Sequence, residues 1–145
     1  MEQQLNFISL GVRDVGRSHD FYVTGLGWTP QLEVPGEVIF LQVNHGLVLS
    51  LWSRAQMAAE LGVAEDALQS PAGVPPVTLS HNVGSPGKVD AVVEQARQAG
   101  ADVVHPPRQQ AWGGYSGYFA DPDGFRWEVA FNPTWAVNDA GNVTV

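Results

Sequence analysis

Glu128 is a carboxylate in the middle of an apolar strand, "FRWEVAF", that leaves a tight turn crowded with aromatic rings. The surrounding stretch, "AWGGYSGYFADPDGFRWEVAFNP" from Ala111 to Pro133, holds two tryptophans, two tyrosines and three phenylalanines. A carboxylate in such company has two readings. Paired or hydrogen-bonded, it is structural, and Arg126 two residues away or the Tyr118 hydroxyl across the turn could satisfy it. Left unpaired among rings, its ionised form is costly and its pKa should rise. It is then a general base, or an acceptor for a ligand N–H or O–H. Trp112, Tyr115 and Tyr118 form a second candidate group. The glycines of "WGGYSG" allow a close backbone approach to a ligand, and the rings offer apolar faces with a polar edge. The alternative is that Trp112 and Tyr115 cover a sheet edge or a dimer contact. Phe119, Phe125, Trp127 and Phe131 are expected to be core and turn packing.

Other chemistries are thinly supplied. There is no cysteine, which removes disulfides, thiolate metal sites and a thiol nucleophile. The four histidines are not spaced as ligands: His19 falls in a helix, His45 in a turn and His105 at a strand end before two prolines. His81 lies three residues from Thr78, which in a strand puts it on the opposite face. The net charge of −8 argues against nucleic acid, suits cationic or neutral ligands, and otherwise supports solubility. No apolar run approaches a membrane span, and the polar start from Met1 to Gln4 does not read as a secretory signal. A cytoplasmic protein without membrane contact is the expectation.

The elements that must position these residues repeat. "LNFISLGV" alternates as a strand, with Leu5, Phe7, Ser9 and Gly11 on one face. Asp14 is a candidate N-cap for a helix over "VGRSHDFYVTGLG", whose stripe is Val15, Ser18, Phe21 and Tyr22. "EVIFLQV" and "LVLSLW" are strands joined by "NHG", and Ser53 to Leu61 is a short helix. After "QSPAGVPP" the order returns. "VTLSHNV" is a strand, and Ser85-Pro86 opens a helix with Val89, Val92, Val93, Ala96 and Ala99 spaced for burial. "ADVVHPP" is a short strand, and "GYSGYFA" and "FRWEVAF" flank "DPDG". Proline second and glycine fourth in that turn predict type I with a glycine bulge, which faces Asp121 with Phe125 and Tyr118 with Glu128. The chain therefore reads as a single domain of 145 residues. It holds one repeat over 5–53, a linker with a short helix over 54–76, a second repeat over 77–133 and a C-terminal tail over 134–145.

This doubled unit resembles the vicinal oxygen chelate superfamily, the group of glyoxalase, bleomycin-resistance and extradiol-dioxygenase proteins. The residues that carry the resemblance are "V-x-D-V-x-R-S-x-x-F-Y" from Val12, the "GLGW" after it, and "DPDG" followed four residues later by Glu128. The resemblance implies an α+β fold of two βαβββ repeats, whose cupped mixed sheets face a shared pocket within one chain or by exchange between two. It also implies a divalent metal held by four positions, which here are Phe7, Ser50, Thr78 and Glu128. Only Glu128 is a usual ligand, whereas catalytic metals need about three. The expectation is therefore no cofactor and no metal site. Alternation from those positions places Trp52, Ser80, Asn82 and Arg126 toward the pocket as well. The ligand-binding candidates are Phe7, Ser50, Trp52, Thr78, Trp112, Tyr115 and Arg126, with Glu128 and Tyr118 as catalytic candidates.

Three functions are compatible with this inventory. One is a metal-free protein that binds a small aromatic or amphipathic molecule, as the family's antibiotic-sequestering members do. Another is a lyase, isomerase or dioxygenase working through Glu128. The third is a fold kept for contact with another protein. A homodimer is expected, because strand edges need partners and dimers are the commonest closed assembly.

Overall fold

The computed structural model describes residues 1–69 and 73–145, so part of the predicted linker, residues 70–72, lies outside it. The described chain forms two compact units, Met1–Gly73 and Val74–Val145. Each carries a four-stranded mixed sheet in which its first strand runs parallel to its last.

In the first unit β1 (Phe7–Val12) lies beside β4 (Leu47–Ser53), followed by β3 (Val38–Asn44) and β2 (Leu32–Val34). Alternation sorts the strands as predicted. Leu10, Val12, Ile39, Leu41, Leu49 and Leu51 are buried on one face, while Phe7, Ser9, Ser50 and Trp52 share the other. The Asp14 carboxylate caps α1 (Val15–His19), accepting from the amides of Gly16 at 2.8 Å and Arg17 at 3.2 Å. Beyond His19 the chain departs from the predicted α-helix: Asp20–Gly25 is a π-helical turn. The apolar stripe survives the change, and Phe21 and Tyr22 are both buried, their rings edge-on at 4.9 Å. Helix α2 (Arg54–Leu61) packs on the other side of the sheet from that core. A Cβ on Gly11 would lie 3.1 Å from Met57 Sδ, so the glycine admits the helix there.

In the second unit β5 (Thr78–Asn82) pairs with β8 (Arg126–Phe131), then β7 (Tyr115–Ala120) and β6 (Asp102–Gln109). Helix α3 (Pro86–Gln98) starts as predicted, with Ser85 Oγ accepting from the Lys88 amide and proline in its first turn. It buries Val89, Val93 and Ala96. The rings of Phe119 and Trp127 stack in this core at 6.2 Å. Strand β6 runs longer than the predicted "ADVVHPP" and continues past both prolines to Gln109. A Cβ on Gly117 would lie 2.9 Å from Pro107 N, so glycine there lets the proline segment cross β7. The tail is not featureless, since β9 (Ala136–Val137) and β10 (Val143–Thr144) pair as a small hairpin.

The "DPDG" turn sets the register of β7 against β8. The Asp121 amide donates to the Phe125 carbonyl at 3.0 Å, and Gly124 takes the positive φ of 92° that the bulged turn requires. Buried Asp121 also accepts from the amides of Asp123 and Phe125 through Oδ1, each at 2.9 Å. Asp121→Ala leaves both amides without that acceptor. It is expected to lower unfolding free energy by about 1–2 kcal/mol in urea titrations, whereas a surface-like loss under about 0.5 kcal/mol would contradict the assignment.

Candidate functional site

The second sheet builds a polar row across all four strands on the face away from α3. Register places Ser80 opposite Glu128, Glu128 opposite Tyr118, and Tyr118 opposite His105. Ser80 Oγ donates to Glu128 Oε2 at 3.3 Å, and Tyr118 stands directly across from this carboxylate on the neighbouring strand. The His105 ring meets the Tyr118 ring edge-on at 6.0 Å. One position along the strands, Thr78 pairs with Arg126 on the same face. Glu128 is therefore a carboxylate held by one neutral donor beside a tyrosine, half-buried and facing away from the helix.

Desolvation, then the neighbouring Glu128 carboxylate, push the Tyr118 hydroxyl up to about 12. Tyr118 thus stays protonated, and stays a donor, through the whole physiological range. The folded value lies above the ordinary 10.0, so stability is intact below about pH 10 and declines as pH rises toward about 12. Following the Tyr118 Cζ resonance by NMR should place its midpoint near pH 12. Glu128→Gln should draw that midpoint down part of the way, because desolvation remains. An unchanged midpoint would show that the carboxylate does not act on Tyr118.

In the first unit the corresponding face sets aromatic rings beside serine hydroxyls. Phe7 and Ser50 lie on adjacent strands, and the Phe7 ring meets Phe40 edge-on at 5.6 Å. Ser50, only 2% exposed, sits between Ser9 and Phe40 in register. Trp52 is half-buried and donates from Nε1 to Gln56 Oε1 of α2 at 3.3 Å. The two sheets repeat one offset. Phe7 pairs with Val48, two residues before Ser50, and Thr78 pairs with Arg126, two residues before Glu128.

Phe7, Ser50 and Trp52 thus share one face in the first unit, and Thr78, Tyr118, Arg126 and Glu128 share one in the second. Two candidates lie elsewhere. Tyr115 faces α3, where its hydroxyl donates to Asp90 Oδ1 at 2.9 Å. That carboxylate holds the Tyr115 hydroxyl above its usual range. Three residues separate Tyr115 from Tyr118, an odd step that sends the two rings to opposite faces. Trp112 belongs to the turn before β7 and is 53% exposed. Its ring lies over Gly114, where a Cβ would stand 1.6 Å from the ring. His105 and Phe40 were not among the candidates. His105 reaches the row because the register shifts between Val103 and His105; an unbroken ladder would set it opposite Gly117 instead. His81 lies on the Leu79 side of β5, as alternation predicts, and burial pushes its ring below the usual value.

The four metal positions that the resemblance points to carry a phenyl ring, two neutral hydroxyls and one carboxylate. This donor set does not suit a divalent ion. Among the described residues no three of His, Asp and Glu gather as a metal site.

The sequence pattern of the Glyoxalase/Bleomycin resistance protein/Dioxygenase superfamily matches residues 4–129, and the chain belongs to that superfamily. It is 38% identical to a glyoxalase-related enzyme from Fulvimarina pelagi, with a TM-score of 0.87 and 99% of each chain covered. It is 26% identical to a glyoxalase/bleomycin resistance protein/dioxygenase from Nocardioides, covering 90% of this chain and 84% of the other at a TM-score of 0.74. The lactoylglutathione lyase of Agrobacterium tumefaciens shares the fold, at 20% identity, 90% and 95% coverage and a TM-score of 0.67. No curated protein sequence matches the chain. Among the described residues no helix is long and apolar enough to cross a membrane.

Proposed function

We propose that the chain binds a small, flat, amphipathic molecule on the face that carries Glu128, without help from a metal. The observation that supports this most is the Ser80–Glu128–Tyr118 row, in which the Ser80 hydroxyl holds the carboxylate without neutralising its charge and Tyr118 stands beside it. A ligand cation or N–H donor would supply what the row lacks, and the Tyr118 ring would offer a flat surface beside it. The probes are proflavine, a planar cation at neutral pH, and acridine, its neutral relative at pH 8. Fluorescence titration is expected to show proflavine binding more tightly than acridine, and no binding of either at millimolar concentration would overturn the proposal.

Because side chains alone make the site in this reading, dialysis against EDTA should leave proflavine affinity unchanged. A loss that zinc or nickel restores would contradict it. A homodimer in the cytoplasm is the assembly and compartment proposed with this function. Each four-stranded sheet ends in edge strands that a second copy could cover.

The kinship with a glyoxalase-related enzyme favours a second reading, in which Glu128 acts as a base on a bound substrate. Both readings need the same carboxylate on the same face. Turnover of a carbonyl substrate by the full chain, abolished in Glu128→Gln, would select the second.

A further inference from the structure

We propose that the ligand of this face is zwitterionic, with a cationic nitrogen on Glu128 and a carboxylate on Arg126. The inference rests on the reading that the face is a binding site. Arg126 and Glu128 are two residues apart on β8 and point to the same side, as their opposed partners Thr78 and Ser80 on β5 require. A strand rises about 3.4 Å per residue, so their Cα atoms stand about 7 Å apart. Both residues are half-buried.

Opposite charges so placed would ordinarily pair with each other. Among the described residues, however, no ion pair joins Arg126 to Glu128. Glu128 takes its hydrogen bond from the neutral Ser80 hydroxyl, which leaves its charge uncompensated. Nor does Arg126 pair with Asp102, the nearest carboxylate along its own cross-strand row. The residue between them is Ala120, whose methyl group fills little of the space above the sheet. The face therefore presents a cation and an anion side by side, each with its charge available. A guanidinium can take a carboxylate through two parallel N–H donors, and Glu128 can accept from an ammonium. A rigid flat body with charges about 7 Å apart, the spacing of the two Cα atoms, satisfies both at once. A molecule with a single charge satisfies one and leaves the other desolvated without a partner.

Three probes separate these cases: 4-(aminomethyl)benzoate, which is zwitterionic at neutral pH, benzylamine, which carries only the cation, and benzoate, which carries only the anion. Calorimetric titration of the full chain is expected to give the zwitterion at least about tenfold tighter binding than either fragment, the scale of one charged hydrogen bond. Arg126→Gln should reduce the zwitterion to the affinity of benzylamine and leave benzylamine unchanged. Glu128→Gln should reduce it to the affinity of benzoate and leave benzoate unchanged. Far-UV circular dichroism and thermal melting confirm that each variant is folded. Equal affinity for zwitterion and benzylamine, or an Arg126→Gln variant that loses both alike, would overturn the inference. Proflavine binding without any gain for the zwitterion would sink the inference and leave the binding site standing. Failure of all these probes would sink both.

Discussion

Phe21→Ala is expected to lower the free energy of unfolding by about 3–5 kcal/mol, the cost of removing a large ring from a packed core. Phe21 is 1% exposed, and its ring stands edge-on to Tyr22 at 4.9 Å. Tyr22 in turn lies 5.4 Å from the Trp28 ring, so the loss would open a cavity inside an aromatic cluster. The cluster hangs on the π-helical turn, where the amide of Leu26 donates to the Phe21 carbonyl at 2.9 Å and that of Trp28 to Tyr22 at 3.0 Å. These bonds limit how far the chain can collapse into the gap, which puts the effect toward the upper end of the range. Urea denaturation of the two forms measures it. A loss below about 1.5 kcal/mol would mean that the ring is not a core element of the first unit. Phe21→Leu, which keeps most of the apolar volume, should recover more than half of the loss.

How much of this was legible in the sequence depended on whether a local rule decided the outcome. Asp14 and Ser85 cap their helices because a short polar side chain before an apolar stripe has few other uses. The "DPDG" turn could be read through to the pairing of Tyr118 with Glu128, since its bulge dictates which residues oppose each other. The repeated order of elements followed from alternation, and the α+β architecture from the family resemblance that this order and its motifs carry. Three features were hidden by non-local packing. The irregularity near Val104 turns His105 toward Tyr118, and nothing in "ADVVHPP" announces the extra residue. The π-helical turn preserves the same apolar stripe as an α-helix, so periodicity could not tell them apart. Phe40 reaches Phe7 across β4 only through the register of β3, which the "NHG" hairpin and the irregularity after Gln42 set together. Tyr115 is different, because the signal was present. Its odd spacing from Tyr118 already placed the two rings on opposite faces, but only if β7 begins at Tyr115 rather than after a glycine-rich loop.

The other large effect is on binding. Glu128→Ala should weaken proflavine binding by roughly 1.5–3 kcal/mol, the scale of a hydrogen bond to a charged group, with little change in stability because Ser80, its hydrogen-bond donor, is exposed to water. Glu128→Gln keeps the shape and one acceptor oxygen but removes the charge. The cation should therefore bind the glutamine variant almost as weakly as the alanine variant, while acridine should distinguish little between glutamine and wild type. Calorimetry of proflavine on the three forms is the most direct test of whether this carboxylate is the working group of its face. Wild type is expected to bind proflavine clearly more tightly than either variant. Equal affinity in all three would show that Glu128, with its bond from Ser80, serves structure alone.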